Sequence, residues 1–184
     1  MEIPVLETER LRLRGHRAND LSACAAIWTD PIAIRYTSGK PLTAEEAWTK
    51  MLRNAGFWPV LGYGLWAIEE KAGGEFIGEV GFGDFRRDLQ PSMAGVPELG
   101  YILCSRAHGQ GYATEAARAA IAWLERNVAV NRTFCMVRNG NAASIRVAGK
   151  CGYREFHRTR YKEHDVILFE RETAVSSFRF RVSS

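Results

Sequence analysis

Residues 98–116, ELGYILCSRAHGQGYATEA, join an apolar strand-like run to an alanine-rich helix through a turn that contains Gly109 and Gly111. At such a turn several backbone N–H groups point outward together at the positive end of the helix dipole. Glycine permits positive φ values and leaves no Cβ in the path of an approaching anion. The stretch therefore predicts either a phosphate-binding turn or a simple connection between a strand and a helix.

Two common nucleotide-binding loops do not match this turn. A P-loop requires the pattern GxxxxGK[ST], and residues 109–114 contain no lysine. A dinucleotide-binding turn has a third glycine and opens the first βα unit of a parallel sheet. Here the third glycine is missing, and strands of antiparallel character precede the turn. The sequence therefore excludes both of these nucleotide folds.

Two longer motifs place the glycines in a known context. Arg106, Gly109 and Gly111 match the pattern R-x-x-G-x-G/A after a strand, and the segment 141–153, NAASIRVAGKCGY, follows later in the chain. Together they resemble the GNAT superfamily of acetyl-CoA-dependent N-acetyltransferases, and within it the branch that acetylates the N-termini of bacterial ribosomal proteins. The opening segment 6–14, LETERLRLR, is similar to the first strand of that branch, so the resemblance covers residues 6 to about 170.

The resemblance implies how acetyl-CoA binds. In this family the sheet splays open between two parallel strands, here 98–104 and 132–138, and pantetheine lies in the gap like an added strand. Backbone groups of Leu103 and Cys104 would pair with the pantetheine amides. Asn141 would hydrogen-bond the pantetheine, serve as a helix N-cap, or do both. The arginine of the motif and the residues of the turn would hold the pyrophosphate; these are Arg106, His108, Gly109, Gln110, Gly111, Tyr112, Ala113 and Thr114.

Acetyl transfer to an amine requires a group that removes the proton of the amine. The resemblance places a carboxylate beside the substrate amine at the start of the cofactor strand, often acting through a water, and Glu98 occupies that position. Glu79 lies between apolar neighbours in the preceding strand and is the competing candidate. The sequence leaves the base open between Glu98, Glu79 and water.

The departing thiolate requires a proton or a hydrogen bond. Many family members carry a tyrosine seven residues after the asparagine, but this chain has Ala148 there. Ser144 lies three residues after Asn141, on the same face of the predicted helix, and the ribosomal-protein branch also has a serine at that place. We therefore predict Ser144 as the group that contacts the sulfur, against the alternative that its hydroxyl only bonds back to a helix carbonyl.

The order of predicted elements gives the fold class. Asn19 and Asp20 are predicted to cap one helix, and Thr43 with Glu46 has the spacing of a capping box, ahead of a helix that ends near Gly56. Three strands, a helix, a strand, a helix and two strands follow. We predict a mixed α/β domain over residues 1–172, with a mostly antiparallel sheet splayed between two parallel strands and helices on both faces. Residues 173–184 are predicted to form a tail.

Composition narrows the class of protein further. Of the 184 residues, 46% are hydrophobic and 25% are charged, which is typical of globular domains. No apolar run reaches the roughly 20 residues of a membrane helix, and the N-terminus does not resemble a signal peptide, so we predict a cytoplasmic protein. The four cysteines show no metal or disulfide spacing, and the histidines add none, so we predict free thiols and no metal. The net charge of +4 includes no run of five basic residues, which makes nucleic acid an improbable partner.

These observations predict an N-acetyltransferase that moves an acetyl group from acetyl-CoA to an amine directly in a ternary complex. Two alternatives are a covalent route through Cys104 and a sensor that binds acyl-CoA without catalysis, the latter motivated by Ala148. The acceptor is either a peptide N-terminus or a small amine, and the chain is a monomer or a homodimer. The acceptor is predicted to bind to the variable part of the chain, which is the two N-terminal helices and the loop after the third strand; the candidate residues are Arg35, Tyr36, Phe57, Trp58, Trp66 and Phe85.

Overall fold

The computed structural model describes residues 2–173, which form one eight-stranded sheet in the order β1-β2-β3-β4-β5-β6-β8-β7. Every neighbouring pair is antiparallel except β5 and β6, as predicted for the mixed α/β fold. The strands are β1 Leu6–Glu7, β2 Leu11–Arg14, β3 Leu65–Glu70, β4 Glu75–Gly83, β5 Glu98–Leu103, β6 Arg132–Arg138, β7 Arg154–Tyr161 and β8 His164–Glu172. The helices are α1 Leu21–Thr29, α2 Pro31–Ile34, α3 Ala44–Leu61, α4 Tyr112–Asn127 and α5 Ala142–Lys150.

The predicted splay lies between β5 and β6. These strands share a single residue pair, Glu98 with Phe134, and the Phe134 N–H donates to the carbonyl of Pro97 at 3.1 Å. Both strands continue beyond that pair, but no further pairing joins them within the described residues. The sheet therefore opens into a wedge whose apex is at the start of β5.

Helices cover both faces of the sheet because side chains alternate along β5. Leu103 packs in a core cluster with the small residues of α4, whereas Ile102 packs in a second cluster with residues of α1 and α3. The predicted apolar face of α4 is confirmed at its centre, where Ala117, Ala120 and Leu124 are fully buried. Small side chains there let the helix approach the sheet closely, and the turn before α4 is held in place as a result.

The helix α3 confirms one sequence prediction and corrects another. Thr43 and Glu46 form the predicted capping box at its start. The helix does not end near Gly56 but continues to Leu61, because Trp58 packs in the core and its indole N–H donates to the carbonyl of Leu65 at 3.0 Å. Burial of a large aromatic side chain outweighs the helix-breaking tendency of one glycine.

The predicted cap of α1 is wrong. Asp20 makes no side-chain cap to that helix. Its carboxylate instead accepts two hydrogen bonds of 2.8 Å from the Arg14 guanidinium and one of 2.7 Å from the Arg17 N–H. Two charge-assisted bonds to a buried guanidinium are stronger than a single cap to a backbone N–H, so the Arg14 pair determines where the carboxylate points.

Of the predicted tail, only Thr173 lies among the described residues, and its N–H donates to the carbonyl of Asn131. The segment 174–184 lies outside them. Between residues 2 and 173, no helix has both the length and the hydropathy needed to cross a bilayer.

Candidate functional site

The glycine turn links β5 to α4 through one turn of 3-10 helix, Ser105–Ala107. Gly109 and Gly111 have φ values of +76° and +84°, in the left-handed region that side chains disfavour. A Cβ added at Gly109 would meet no heavy atom within 4 Å, so backbone conformation and not packing explains this glycine. No side chain among residues 2–173 caps α4 at Gly111, and its first N–H groups remain available to a ligand.

Arg10 bonds to residues of this turn and of the following helix. The sequence gives no indication of this contact. Its guanidinium donates to the carbonyl of Gln110 at 2.9 Å and to the Glu115 carboxylate at 2.7 Å, and it lies 4.4 Å from the centre of the Tyr112 ring. Arg10 belongs to the segment LETERLRLR, but nothing in that local pattern indicates a contact with a turn one hundred residues away.

Two predicted cofactor residues beside the turn are engaged with protein groups. The Arg106 guanidinium is held by the carboxylates of Glu70, at 3.1 Å, and of Glu75. The His108 ring nitrogen Nε2 bonds to the carbonyl of Leu103 at 3.0 Å. In this structure both side chains therefore hold the conformation of the turn through contacts with the protein itself.

The backbone of β5 presents alternate residues to the wedge. The Cys104 N–H donates to the carbonyl of Ile77 at 2.9 Å, and the Cys104 carbonyl accepts from Ala107. Because hydrogen-bonded and non-bonded pairs alternate along an antiparallel ladder, Tyr101 and Leu103 direct their backbone groups away from β4 and toward the wedge. The Cys104 N–H thus has a partner in β4 and the Leu103 carbonyl has one in the His108 ring, whereas the Leu103 N–H and the backbone groups of Tyr101 have none within residues 2–173.

Helix α5 closes the wedge on the side of β6. Asn141 is its N-cap, with the side-chain oxygen accepting from the Ser144 N–H at 3.1 Å. The Tyr101 hydroxyl lies 3.5 Å from the Ser144 backbone carbonyl, so β5 and α5 meet at this point. Burial raises the pKa of Tyr101, which keeps the phenol protonated. Ala148 is buried in the core, and Tyr101 supplies a phenol that the helix lacks.

Glu98 lies at the apex of the wedge and is buried with a partner. Its two oxygens accept from the Arg87 guanidinium at 2.6 and 2.9 Å, and the Tyr161 hydroxyl lies 3.5 Å from the same arginine. Burial raises the pKa of Glu98 above its usual range, and the hydrogen bonds and charge of Arg87 offset only part of that effect. Sequence reasoning found Glu98 but not its arginine.

Glu79, the competing carboxylate, occupies a separate buried network. Its oxygen is 2.7 Å from the His16 ring nitrogen Nε2, and the Asn54 amide nitrogen lies 3.3 Å from both oxygens. Glu79 is opposite Ile102, whereas Glu98 is opposite Gly83, so the two carboxylates share a face of the sheet. Four residues of β4 separate those positions, a distance of about 13 Å along the strand. Within residues 2–173 the two carboxylates do not share a site.

The candidate acceptor residues divide between core and cleft. Trp58 and Trp66 are buried in the core, where their rings pack edge to face at 4.6 Å. Phe57 and Phe85 lie instead beside the start of β5, also edge to face, with ring centres 5.3 Å apart. The face that carries Glu98 is therefore covered by Phe57 and Phe85 rather than by the tryptophans.

Comparison with known proteins agrees with this geometry. A family model described as an acetyltransferase (GNAT) domain matches residues 10–154. The protein YkkB of Bacillus subtilis is 31% identical over 172 residues, which are 91% of this chain and 95% of YkkB. The crystal structure of an acetyltransferase from Agrobacterium tumefaciens is 25% identical, with a TM-score of 0.79 over 93% of this chain and 95% of that one.

One further structure shows the likeness of fold alone. RimL, a ribosomal L7/L12 alpha-N-protein acetyltransferase in complex with coenzyme A, is 18% identical, with a TM-score of 0.75 over 92% of this chain and 98% of its own. The matched family model spans most of the chain, including the glycine turn and the wedge. The chain therefore belongs to the GNAT family and is an acetyltransferase.

Proposed function

We propose that this protein transfers the acetyl group of acetyl-CoA to an amine by direct attack in a ternary complex. The observation that carries the proposal is the continuity of two surfaces: free N–H groups at the start of α4 and the outward backbone groups of β5 in an open wedge. The first surface suits a pyrophosphate, and the second suits an extended chain with amide groups. The coenzyme A complex of RimL, which shares the fold, supports the same assignment.

The residues of the turn hold the phosphate end of acetyl-CoA in this proposal. The donors are the backbone N–H groups between His108 and Thr114, which the positive φ values of Gly109 and Gly111 orient. Leu103 and Tyr101 bond the pantetheine amides through their backbones. Acetyl-CoA supplies an acetyl thioester, and the rest of the chemistry belongs to side chains of this chain.

Glu98 is the base in this proposal and acts through one water molecule. Both of its oxygens are engaged by Arg87, which orients the carboxylate and leaves a lone pair for a water that relays the amine proton. The raised pKa of Glu98 makes it a better acceptor of that proton than an exposed glutamate. Glu79 is less suited because it is opposite Ile102, away from the apex of the wedge where Glu98 lies.

The thiolate that leaves takes its proton from Tyr101, with Ser144 as a second hydrogen-bond donor. The C–N bond forms and the C–S bond breaks in the same complex, so the amine proton ends on Glu98 and the phenolic proton on sulfur. Because Tyr101 provides the missing acid, Ala148 gives no reason to prefer a sensor without catalysis.

The covalent route through Cys104 lacks an activating base. The nearest histidine in sequence, His108, directs its Nε2 to the carbonyl of Leu103. A cysteine nucleophile needs an adjacent base or a stabilised thiolate. Direct transfer requires neither and is the mechanism that these contacts favour.

The test is release of thiol from acetyl-CoA in the presence of single amines, covering amino acids, short peptides, polyamines and aminoglycosides. We expect turnover with at least one amine and intersecting initial-rate lines when both substrates are varied. Parallel lines together with an acetylated Cys104 would replace direct transfer by the covalent route. Coenzyme A binding without turnover on any amine would refute the enzymatic assignment.

A further inference from the structure

The surface beside Glu98 carries unbalanced positive charge on α3. The Arg53 guanidinium makes one hydrogen bond, to the Asn54 side-chain oxygen at 3.2 Å, and no carboxylate among residues 2–173 forms an ion pair with it. Lys50 lies one turn earlier on the same helix, with its ammonium nitrogen 4.2 Å from the centre of the Trp28 ring. In the described part of the chain Lys50 likewise has no carboxylate partner.

Two buried carboxylates on this face of the sheet, those of Glu98 and Glu79, already bond to other residues. Glu98 is paired with Arg87, and Glu79 is bonded to His16 and Asn54. Lys50 and Arg53 therefore have no carboxylate in hydrogen-bond contact within residues 2–173, although Glu45 and Glu46 line the same groove, and this leaves a local excess of positive charge beside Phe85. Such an excess inside a concave surface attracts an anionic group.

The titration of both cations agrees with that charge balance. Burial lowers the pKa of Arg53, and repulsion by Arg87 adds to the shift. Burial and then repulsion by Arg53 lower the pKa of Lys50 to about 8. An anion placed between the two side chains would relieve both effects, since an opposite charge favours the charged form.

The free guanidinium lies close to the predicted attack site. The guanidinium carbons of Arg53 and Arg87 are 5.0 and 4.8 Å from the centre of the same ring, Phe85. Beneath that ring the strand carries Gly100, where an added Cβ would meet only Phe85, at 4.0 Å. Phe85 therefore lies over Gly100, two residues after Glu98 on the strand, and lies within about 5 Å of the Arg53 guanidinium.

A groove continues from Arg53 along the outer side of α3. Its volume is about 300 Å³, and it is lined by Leu42, Glu45, Glu46, Thr49, Lys50 and Arg53. Its inner end is basic, and its outer end holds two glutamates, of which Glu46 is bonded to the Thr43 N–H. An anionic group therefore fits only at the inner end, beside Arg53 and Lys50.

We infer that the acceptor is an anionic amine: a primary amine with a carboxylate a few bonds away, which Arg53 binds while the amine points to Glu98. This inference rests on the proposed acetyltransfer and names its substrate class. The chemistry fits a free amino acid or a peptide with an acidic residue next to its N-terminus. It disfavours polyamines and aminoglycosides, because their positive charges would meet Arg53 and Lys50.

Matched acceptor pairs test the inference on the full chain with acetyl-CoA. One pair is L-alanine and L-alaninamide; the other is a C-terminally amidated tripeptide with aspartate or asparagine at its second position. We expect kcat/KM to be at least about tenfold higher for the charged member of one pair, as one charge-assisted bond allows. Amidation of alanine lowers the pKa of its amine, so without recognition of the carboxylate the amide would be the better acceptor. A preference in the first pair identifies a free amino acid, and one in the second pair alone identifies a peptide.

The variant Arg53→Gln should raise KM for the charged acceptor about ten- to a hundredfold and leave the neutral acceptor within about twofold. Arg53→Lys should restore part of the preference, because it restores the charge without the planar fork. The control Arg126→Gln removes an exposed arginine on α4 whose contact is local, to the Ala122 carbonyl, and should change neither substrate. Arg53 forms no ion pair within the described residues, so its replacement should leave the fold intact, and thermal unfolding checks this.

Three results would overturn the inference while turnover persists: equal use of both members of each pair, an equal effect of Arg53→Gln on both members, or a preference for spermidine. Calorimetric binding of alanine and alaninamide, with coenzyme A present, tests the anion site without turnover. If no amine releases thiol but alanine binds better and loses that advantage in Arg53→Gln, the proposed transfer fails and the anion site stands. If neither ligand binds and none reacts, both proposals fail.

Discussion

The variant Gly109→Ala tests whether the glycine turn binds a ligand or only connects two elements. Gly62, at the end of α3, provides a matched control. The φ values of the two residues are +76° and +77°, and an added Cβ at either would meet no heavy atom within 4 Å. Both substitutions therefore add the same backbone strain without a steric clash. Only Gly109 lies in the proposed phosphate site.

The expected magnitudes follow from that match. A non-glycine residue in the left-handed region costs roughly 1–2 kcal/mol, so both variants should lose that much free energy of unfolding. For a domain of this size the melting temperature should fall by about 2–8 °C. Gly109→Ala should in addition lose a contact between a backbone N–H and a phosphate, worth about 1.5–3 kcal/mol. Its Kd for coenzyme A should therefore rise about ten- to a hundredfold.

Thermal unfolding and calorimetric titration with coenzyme A measure the two effects separately. Gly62→Ala should be destabilised as much as Gly109→Ala but should bind coenzyme A like the parent. If both variants bind coenzyme A with the parent's affinity, the turn is only a connection and the cofactor assignment is lost. If both variants lose the same affinity for coenzyme A, the loss comes from backbone strain that affects the whole domain. That result would give no support to a phosphate site at the turn.

Three other predictions concern the chemistry and the core. Glu98→Gln should lower kcat/KM about a hundredfold at pH 7, with recovery as pH rises and the free amine fraction grows; a pH–rate profile that matches the parent would exclude Glu98 as the base. Tyr101→Phe should lower kcat about a hundredfold and Ser144→Ala about tenfold, with little change in Kd for coenzyme A; pre-steady-state thiol release measures both, and a fully active Tyr101→Phe would assign the acid elsewhere. Asp20→Asn should cost about 1–3 kcal/mol of unfolding free energy, because it removes one of the two carboxylates that bond the buried Arg14, the other being Glu69. Burial acts to raise the pKa of Asp20, but the Arg14 and Arg17 hydrogen bonds lower it overall, so the parent should lose this contribution only as pH falls below about 4. Chemical denaturation at several pH values tests it, and a variant as stable as the parent at pH 7 would contradict the argument.

The sequence by itself determined the parts of this protein that depend on residues near one another in the chain. The left-handed glycines, the capping box at Thr43 and the apolar face of α4 are local, because φ preference and helical period act over a few residues. The resemblance to the GNAT family, carried by these local motifs, then implied the splay between β5 and β6. Glu98 could be found because its place at the head of β5 is also a matter of chain position.

Only the tertiary structure decided which side chains share a site. Glu98 meets Arg87 across a loop, and Glu79 meets His16, which is 63 residues away in the chain. Such pairs depend on sheet register and helix packing, which no local pattern encodes. Register also determined that the Cys104 N–H is taken by β4. It brought Tyr101 to Ser144, where the helix has no tyrosine of its own.

The same limit applies to the acceptor. The sequence gives no reason to single out Arg53 among the other arginines. Only the structure shows that Glu98 and Glu79 bond to other residues, so that Arg53 has no carboxylate partner within residues 2–173. Charge balance in a cleft is a sum over residues from several elements, and each position depends on how those elements pack. Local motifs and the resemblance that they carry were thus enough to predict the fold, whereas the packed structure was required to infer the charge of the substrate.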